Sequence, residues 1–280
     1  MSAVSTELKI AFIGGGNMAS ALIAGLVGKL TAAHHIHVVD PHAGSLDTLR
    51  EQHGVGTASG IDAAVSACDV IVLAVKPQNM REVGAQLAPW LRGVAPLVLS
   101  IAAGIRSADL SRWLGGYEAI VRCMPNTPAL IGLGITGMVA SDAVSEAQRA
   151  AADAIMRAVG TTVWLADEAL IDPVTGLSGS GPAYVFYFIE AMQEAAAELG
   201  LTPEQGKQLA LATFVGASQL AAQSAEPVSV LRERVASKGG TTYAALTSLQ
   251  DSGVKQAIVA AVKAAAARGK EMGEEMGGPA

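Results

Sequence analysis

The nine residues FIGGGNMAS, positions 12–20, lie between an apolar run and a helix-forming stretch near the start of the chain. Their small residues fall as Gly14-x-Gly16-x-x-Ala19, a spacing few folds require. Gly14 allows a tight turn out of a strand, and Gly16 lets the backbone approach a pyrophosphate. Ala19 keeps the following helix close to the strand, and that helix presents free N–H groups and a positive dipole at its start. The pattern alone is common. Between a strand and a helix it indicates the first βα unit of a dinucleotide-binding fold.

The next segments agree. LKIAFIG (8–14), IHVVD (36–40), DVIVLAV (69–75), PLVLSIA (96–102) and AIVRCMP (119–125) read as apolar strands, with helical stretches between several of them. Such strands imply a parallel sheet covered on both faces. GITGMVA (134–140) and TTVWLA (161–166) are candidates to extend it, with a helix over 145–159 between them. Near Asp167 the pattern changes. From Gly181 the chain reads as helix after helix: GPAYVFYFIEAMQEAAAELG, then about 203–224, 227–236, 242–251 and 254–272, with the final EMGGPA expected to fray. The expected fold is α/β: a Rossmann-type doubly wound sheet over 1–166, followed by an all-helical C-terminal domain over 167–280.

Charged residues make up 16% of the 280, against roughly 25% in typical soluble proteins, and mean hydropathy is +0.39. Alanine-rich helices with so little charge need either a generous internal core or a second subunit to cover them. The net charge of −6 argues against a nucleic-acid backbone as ligand. No apolar run is long enough to cross a bilayer, and MSAVSTE leads into the first strand without the pattern of a secretion signal. The expectation is a soluble cytoplasmic protein with neither nucleic-acid nor membrane partners. Cys68 and Cys123 sit in apolar runs and read as buried free thiols. All five histidines fall between His34 and His53 with no further ligand cluster, so no metal site is expected.

Asp40 ends the second strand, where a carboxylate would accept bonds from the adenosine ribose hydroxyls and repel a 2′-phosphate. A strand-end aspartate before Pro41 is equally a common turn pair. LAVKPQ (73–78) places Ala74, Val75, Lys76 and Pro77 at the carboxyl end of the central strand, where such sheets bind ligands. In RCMPNTP (122–128), Asn126 and Thr127 stand between two prolines, placed either to bond a carboxamide or to form a rigid turn. SKGGTT (237–242) contains no group that moves a proton at neutral pH. Its glycines and hydroxyls suit the binding of an anion, or a plain turn.

Together, FIGGGNMA, LAVKPQ, SIAAG (100–104), VRCMPNTPALIGLG (121–134), LIDPVTGLSGSGPAYVF (170–186) and VASKGGTTYAAL (235–246) give a chain that resembles the pyrroline-5-carboxylate reductases from about residue 8 to 272. The resemblance implies NADPH- or NADH-dependent reduction of the cyclic imine 1-pyrroline-5-carboxylate to L-proline, the last step of proline synthesis. It implies a helical dimerisation domain, with dimers assembling into decamers. It puts substrate contacts on Ser237, Gly239, Gly240, Thr241, Thr242 and Glu168. Thr242 is expected to orient the ring nitrogen, and Glu168 to favour the cationic iminium. Cofactor contacts are implied at Gly16, Asn17, Met18, Val75, Lys76, Pro77 and Ala103, with Arg234 placed to approach the cofactor. Lys238 stands where this family often has proline, and Asp40 where relatives often have a neutral residue. The rival readings are a β-hydroxyacid-dehydrogenase-like enzyme, disfavoured because the helix from Gly181 has no lysine in its first turns, and a non-catalytic nucleotide-binding redox sensor.

Overall fold

The computed structural model describes residues 8–278. β1 (Ile10–Ile13), α1 (Asn17–Leu26), β2 (Ile36–Val39), α2 (Ala43–His53) and β3 (Gly56–Ala58) open the chain. α3 (Ala63–Ser66), β4 (Val70–Leu73), α4 (Met80–Leu87), β5 (Leu97–Ser100), α5 (Ser107–Trp113) and β6 (Ile120–Met124) follow. β7 (Gly134–Ala140), α6 (Glu146–Arg157), β8 (Gly160–Trp164) and α7 (Ile171–Val174) complete the α/β part. The remainder is helical: α8 (Gly181–Glu198), α9 (Pro203–Gln223), α10 (Val228–Arg234), α11 (Thr241–Asp251) and α12 (Val254–Gly277).

One eight-stranded sheet has the order β3-β2-β1-β4-β5-β6-β7-β8. The order reverses between β1 and β4, which opens a crevice at their carboxyl ends. Every residue of β1, β4 and β5 is buried, and alternate residues feed opposite faces. Ile10, Phe12, Val72 and Leu99 join Leu22 and Ile23 of α1 on one side. Ala11, Ile13, Ile71 and Val98 join Met80 and Leu110 on the other. This two-sided burial is why the strands read as unbroken apolar runs.

The structure departs from the sequence reading in several respects. β3 was not anticipated: it is three residues, GTA, paired parallel to β2 at the sheet edge. β7 runs antiparallel to β6, with Cys123 opposite Met138, because the short connection through Thr127–Ile131 cannot make the crossover a parallel pair needs. Of the EMGGPA end expected to fray, residues 275–278 are ordered and 279–280 lie outside the described residues. α12 continues to Gly277 because Arg112 donates to the Gly277 carbonyl at 2.7 Å and Arg81 to that of Gly278. These bonds satisfy acceptors that a helix end leaves open. Cys123 is buried and Cys68 only half-buried, both as free thiols; burial pushes the Cys68 thiol up to about 11 and raises that of Cys123 as well.

A brace fixes β8 to α6. Asp153 Oδ1 accepts from Thr162 Oγ1 at 2.6 Å and Trp164 Nε1 at 3.0 Å, while Oδ2 accepts from Arg157 Nε at 2.5 Å. Burial works to raise the Asp153 carboxyl, but the bonds from Thr162, Arg157 and Trp164 outweigh it and leave the group below its ordinary value. A carboxyl depressed by folding stabilises the native state above its unfolded value, and that stability fades as pH falls through the folded one. Asp153→Asn should therefore cost about 1–2 kcal/mol at neutral pH. The difference from wild type should shrink from about pH 4 downward. Denaturant titrations at neutral and acidic pH check this; an equal difference at both would show that the charge is irrelevant.

The chain divides into two compact units: residues 8–180 with 265–278, and residues 181–264. Sequence alone placed the change at 167. The unit boundary falls later because α7 and the helical turn Thr175–Gly179 stay with the sheet: Val174 meets Gly137, and Met124 meets Gly179. In the second unit α9 starts with a capping box, in which Thr202 and Gln205 satisfy each other's backbone N–H groups. Gly206 allows α9 to approach Ala196 of α8. Yet only Gly206 and Ala210 are buried among this unit's residues, while Phe186, Tyr187, Leu199 and Leu220 are each more than 60% exposed. No core of its own accounts for that apolar excess, so of the two explanations left open by composition, a second subunit fits better.

Candidate active site

The parallel registers put Ile13 beside Val39 on one side and Leu73 on the other. Gly14, Asp40 and Ala74, the next residue of each strand, therefore meet at the mouth of the crevice. The Gly14 N–H donates to the Val39 carbonyl at 2.7 Å, and Ala74 N–H to that of Ile13 at 2.8 Å. Gly14 has φ +104°, and a Cβ there would lie 2.6 Å from the Ala74 carbonyl oxygen. Gly16 and Asn17, by contrast, are exposed, and a Cβ on Gly16 would meet nothing within 4 Å. Gly16 caps α1 without a side-chain bond, so first-turn N–H groups face open space. That combination suits a pyrophosphate, and the residues present fit a dinucleotide.

Around this turn the expected residues are distributed unevenly. Met18 is half-buried against the core beneath α1. Val75 is half-buried, and Lys76 is exposed at the head of the short turn starting at Pro77. Ala103 is half-buried in the loop after β5. Thr127 is exposed, but the Asn126 side chain is buried and already engaged. Its Oδ1 accepts from Ile135 N–H at 3.0 Å and its Nδ2 donates to the Ser178 carbonyl at 3.1 Å. Asn126 thus ties β6 to β7 and to the turn before α8, and its carboxamide is used within the fold.

Glu168 sits in a second arrangement that the sequence did not reveal. Its Oε1 accepts from Ser107 N–H at 2.7 Å, Ser107 Oγ at 3.0 Å and Arg122 Nη1 at 3.0 Å. Arg122 is buried within the sheet, and its Nη2 lies 3.9 Å from Asp172 Oδ1. A cavity of about 570 Å³ adjoins this cluster, lined also by Arg106 and Lys270. The Glu168 charge is offset by Arg122 at contact distance. Through these bonds Glu168 fastens the start of α5, just past the Ala103 loop, to the segment leading into α7. The Arg122 side of the network was legible only as an odd charge inside the apolar run AIVRCMP.

In the helical unit, Gly240 caps α11, again without a side-chain bond. The Gly240 N–H donates to the Ser237 carbonyl at 3.0 Å, and Gly239 turns the chain at φ +78°. A Cβ on Gly240 would sit 2.7 Å from Ser237 Oγ, so the hydroxyl folds over the turn only because Gly240 has no side chain. The loop thus brings Ser237 Oγ to an uncapped helix start whose first two residues are Thr241 and Thr242. Beside it lies a shallow cavity of about 560 Å³ whose lining includes Gly239, Gly240, Tyr243, Thr247 and Asp251. The last three recur every four residues on one face of α11, a period present in the sequence but masked by their unremarkable chemistry. Lys238 is exposed in the same loop. Arg234, at the end of α10, forms a two-pronged ion pair with Glu226.

A glycine turn at the strand-order switch, an acidic β2 terminus and an uncapped α1 define a dinucleotide-binding protein of the kind oxidoreductases use. A pyrroline-5-carboxylate reductase of Pseudomonas aeruginosa is 44% identical over 269 residues, covering 96% of this chain and 98% of that one. The chain belongs to the pyrroline-5-carboxylate reductase family. Residues 168–272 match a family model described as pyrroline-5-carboxylate reductase dimerisation, and residues 9–104 one described as NADP oxidoreductase coenzyme F420-dependent. A solved pyrroline-5-carboxylate reductase from Coxiella burnetii aligns with TM-score 0.89 and 39% identity, covering 95% of this chain and 98% of its own. The Plasmodium falciparum pyrroline carboxylate reductase with NADP bound aligns with TM-score 0.85 and 30% identity, over 96% of this chain and 99% of that one.

Proposed function

We infer that this protein reduces 1-pyrroline-5-carboxylate to L-proline with NAD(P)H, the last step of proline synthesis. Besides family membership, the observation that supports this most is the Ser237–Thr242 loop, a glycine- and hydroxyl-rich turn at a helix start with no histidine, cysteine or carboxylate in it. The substrate is a small ring bearing a carboxylate and a C=N bond. Ser237 Oγ, Thr241 and the N–H groups at the start of α11 hold the carboxylate, strengthened by charge assistance and the helix dipole. Thr242 Oγ1 accepts a hydrogen bond from the ring nitrogen and fixes the imine carbon in orientation. The glycine turn would hold the pyrophosphate of NAD(P)H, whose nicotinamide would supply the hydride. Bound as iminium, the substrate needs no proton from the protein, which is consistent with a site lacking histidine. Positioning is the protein's main contribution.

We assign the nucleotide to Gly14, Gly16, Asn17 and Met18, with Val75, Lys76, Pro77, Ala103 and Thr127 around the nicotinamide half, and with Arg234 as a further contact on the family resemblance. Glu168 and Asn126 enter as braces. The helical unit pairs with a second copy, and on the family resemblance the dimers assemble into decamers. A cytoplasmic location, where reduced cofactor is supplied, goes with this reading, as does the absence of nucleic-acid and membrane partners. No helix among the described residues is long and apolar enough to cross a membrane.

The test is cofactor oxidation by purified protein, with NADPH and NADH separately, with and without the imine. Imine-dependent turnover is expected. Nucleotide binding without turnover would point instead to a redox sensor, and turnover only with a β-hydroxyacid would support the dehydrogenase reading that α8, lacking lysine, disfavours.

A further inference from the structure

The end of α12 is fastened at several points. Arg112 Nη2 donates to the Gly277 carbonyl at 2.7 Å and to Asp109 Oδ1 at 2.8 Å, and Arg81 Nη2 donates to the Gly278 carbonyl. Cations here also meet the negative end of the helix dipole. The Arg81 and Arg112 guanidiniums both lie over the Trp113 ring, 5.5 and 5.9 Å from its centre, which restricts them further. Met276 packs against the core cluster that contains Ala102, Ile105 and Leu110. Gly277 comes so close to α5 that a Cβ there would overlap the Asp109 carboxylate.

The same stretch of α12 lies on the loop after β5. A Cβ on Gly104, which turns the chain at φ +73°, would sit 3.3 Å from Met272 Cβ, and one on Gly273 would sit 3.3 Å from the Gly104 carbonyl oxygen. Glu274 faces Arg106 at 3.6 Å. The helices that supply the two arginines begin where the proposed cofactor loops end. α4, with Arg81 as its second residue, starts directly after the turn that carries Lys76 and Pro77. α5 starts directly after Ala103–Arg106. One helix end is thereby bonded to both helices that follow the loops assigned to the nicotinamide half, and all of these residues belong to one compact unit.

We propose that Arg81 and Arg112 are positioning residues of the cofactor site: by catching the end of α12 they hold the Lys76–Pro77 and Ala103–Arg106 loops in the relative placement that receives the nicotinamide half of NAD(P)H. The proposal rests on the reductase reading for the nucleotide itself. Neither arginine is among the residues assigned to the cofactor; each acts through the helix end it holds. A pyrophosphate on the glycine turn does not depend on this catch, so the adenosine half binds with or without it.

The two halves of the nucleotide separate positioning from plain stabilisation. Arg81→Met combined with Arg112→Met keeps apolar stems beside Trp113 and removes the donors. The full chain is titrated, well below its melting temperature, with NADH and with ADP-ribose, which lacks the nicotinamide. The variant should bind NADH about three- to tenfold more weakly and ADP-ribose as wild type does. Arg81→Lys combined with Arg112→Lys returns a donor to each carbonyl and should recover most of the loss. Equal weakening of both ligands, or unchanged affinity for both whatever the melting temperature, would reduce the arginines to structural supports and overturn the proposal. Hydrogen exchange on wild-type protein tests it without a variant: NADH, but not ADP-ribose, should slow exchange at 101–106 and 272–278 together. No protection at 272–278 would overturn it even if the methionine variant does not fold. Wild-type protein that binds neither nucleotide would overturn the proposal together with the reading beneath it.

Discussion

Gly14→Ala should lower both stability and cofactor affinity, whereas Gly16→Ala should lower cofactor affinity alone. The two glycines are two residues apart in one turn and look equivalent in sequence. Their surroundings differ. A methyl at Gly14 would lie 2.6 Å from the Ala74 carbonyl oxygen and 2.8 Å from its carbon, at a φ of +104° that side chains avoid. Backbone must move, and the bonds tying Gly14 to Val39 and Ala74 to Ile13 must stretch with it. Strain and overpacking of this kind cost about 2–4 kcal/mol, and displacement of the turn should weaken NAD(P)H by about a hundredfold. At Gly16 the methyl points into open space, so thermal unfolding should match wild type. It would occupy the place the turn keeps free for a pyrophosphate, and binding should still weaken by about tenfold or more. Thermal melts without ligand and fluorescence titration of NAD(P)H decide it. A destabilised Gly16→Ala, or a Gly14→Ala with wild-type affinity, would mean the turn has been misread.

The second large effect lies at the other end of the proposed reaction. Thr242→Val keeps the branched shape and removes the hydroxyl assigned to the ring nitrogen. It should lower kcat/KM for the imine by about ten- to a hundredfold, with NAD(P)H affinity unchanged because Thr242 is not among the residues assigned to the cofactor. Serine at 242 should restore most of the activity, since it returns the oxygen. Wild-type turnover in the valine variant would remove Thr242 from the mechanism. A loss shared equally by cofactor binding would recast it as structural.

Much of this was legible before any coordinates. The strands of the sheet announced themselves because they are buried on both faces, which leaves no polar alternation to confuse the reading. Gly14 and Gly16 were recognisable because a fixed spacing serves a fixed geometry. What escaped has physical causes too. β3 is three residues long, too short for a period. The antiparallel β7 depends on the length of a connection rather than on the strand's own residues. The Ser107–Glu168–Arg122 cluster joins residues 61 and 46 positions apart in sequence, and no local pattern brings them together. Asp40 was visible as a strand-end carboxylate, but whether it served the turn or a ribose was undecidable. The bond from Gly15 shows that it serves the turn. The late unit boundary was hidden because 167–180 is helical in conformation but packs with the sheet.

The most direct test of hydride delivery to a ring held by the 237–242 loop is isotopic. Single-turnover reduction of 1-pyrroline-5-carboxylate is run with NADH deuterated at nicotinamide C4 in the position transferred, and the product is read by mass spectrometry and NMR. One deuterium should appear in L-proline, on the ring carbon bonded to nitrogen and remote from the carboxylate. Proline without deuterium, deuterium at the carbon bearing the carboxylate, or cofactor oxidation without proline would contradict it.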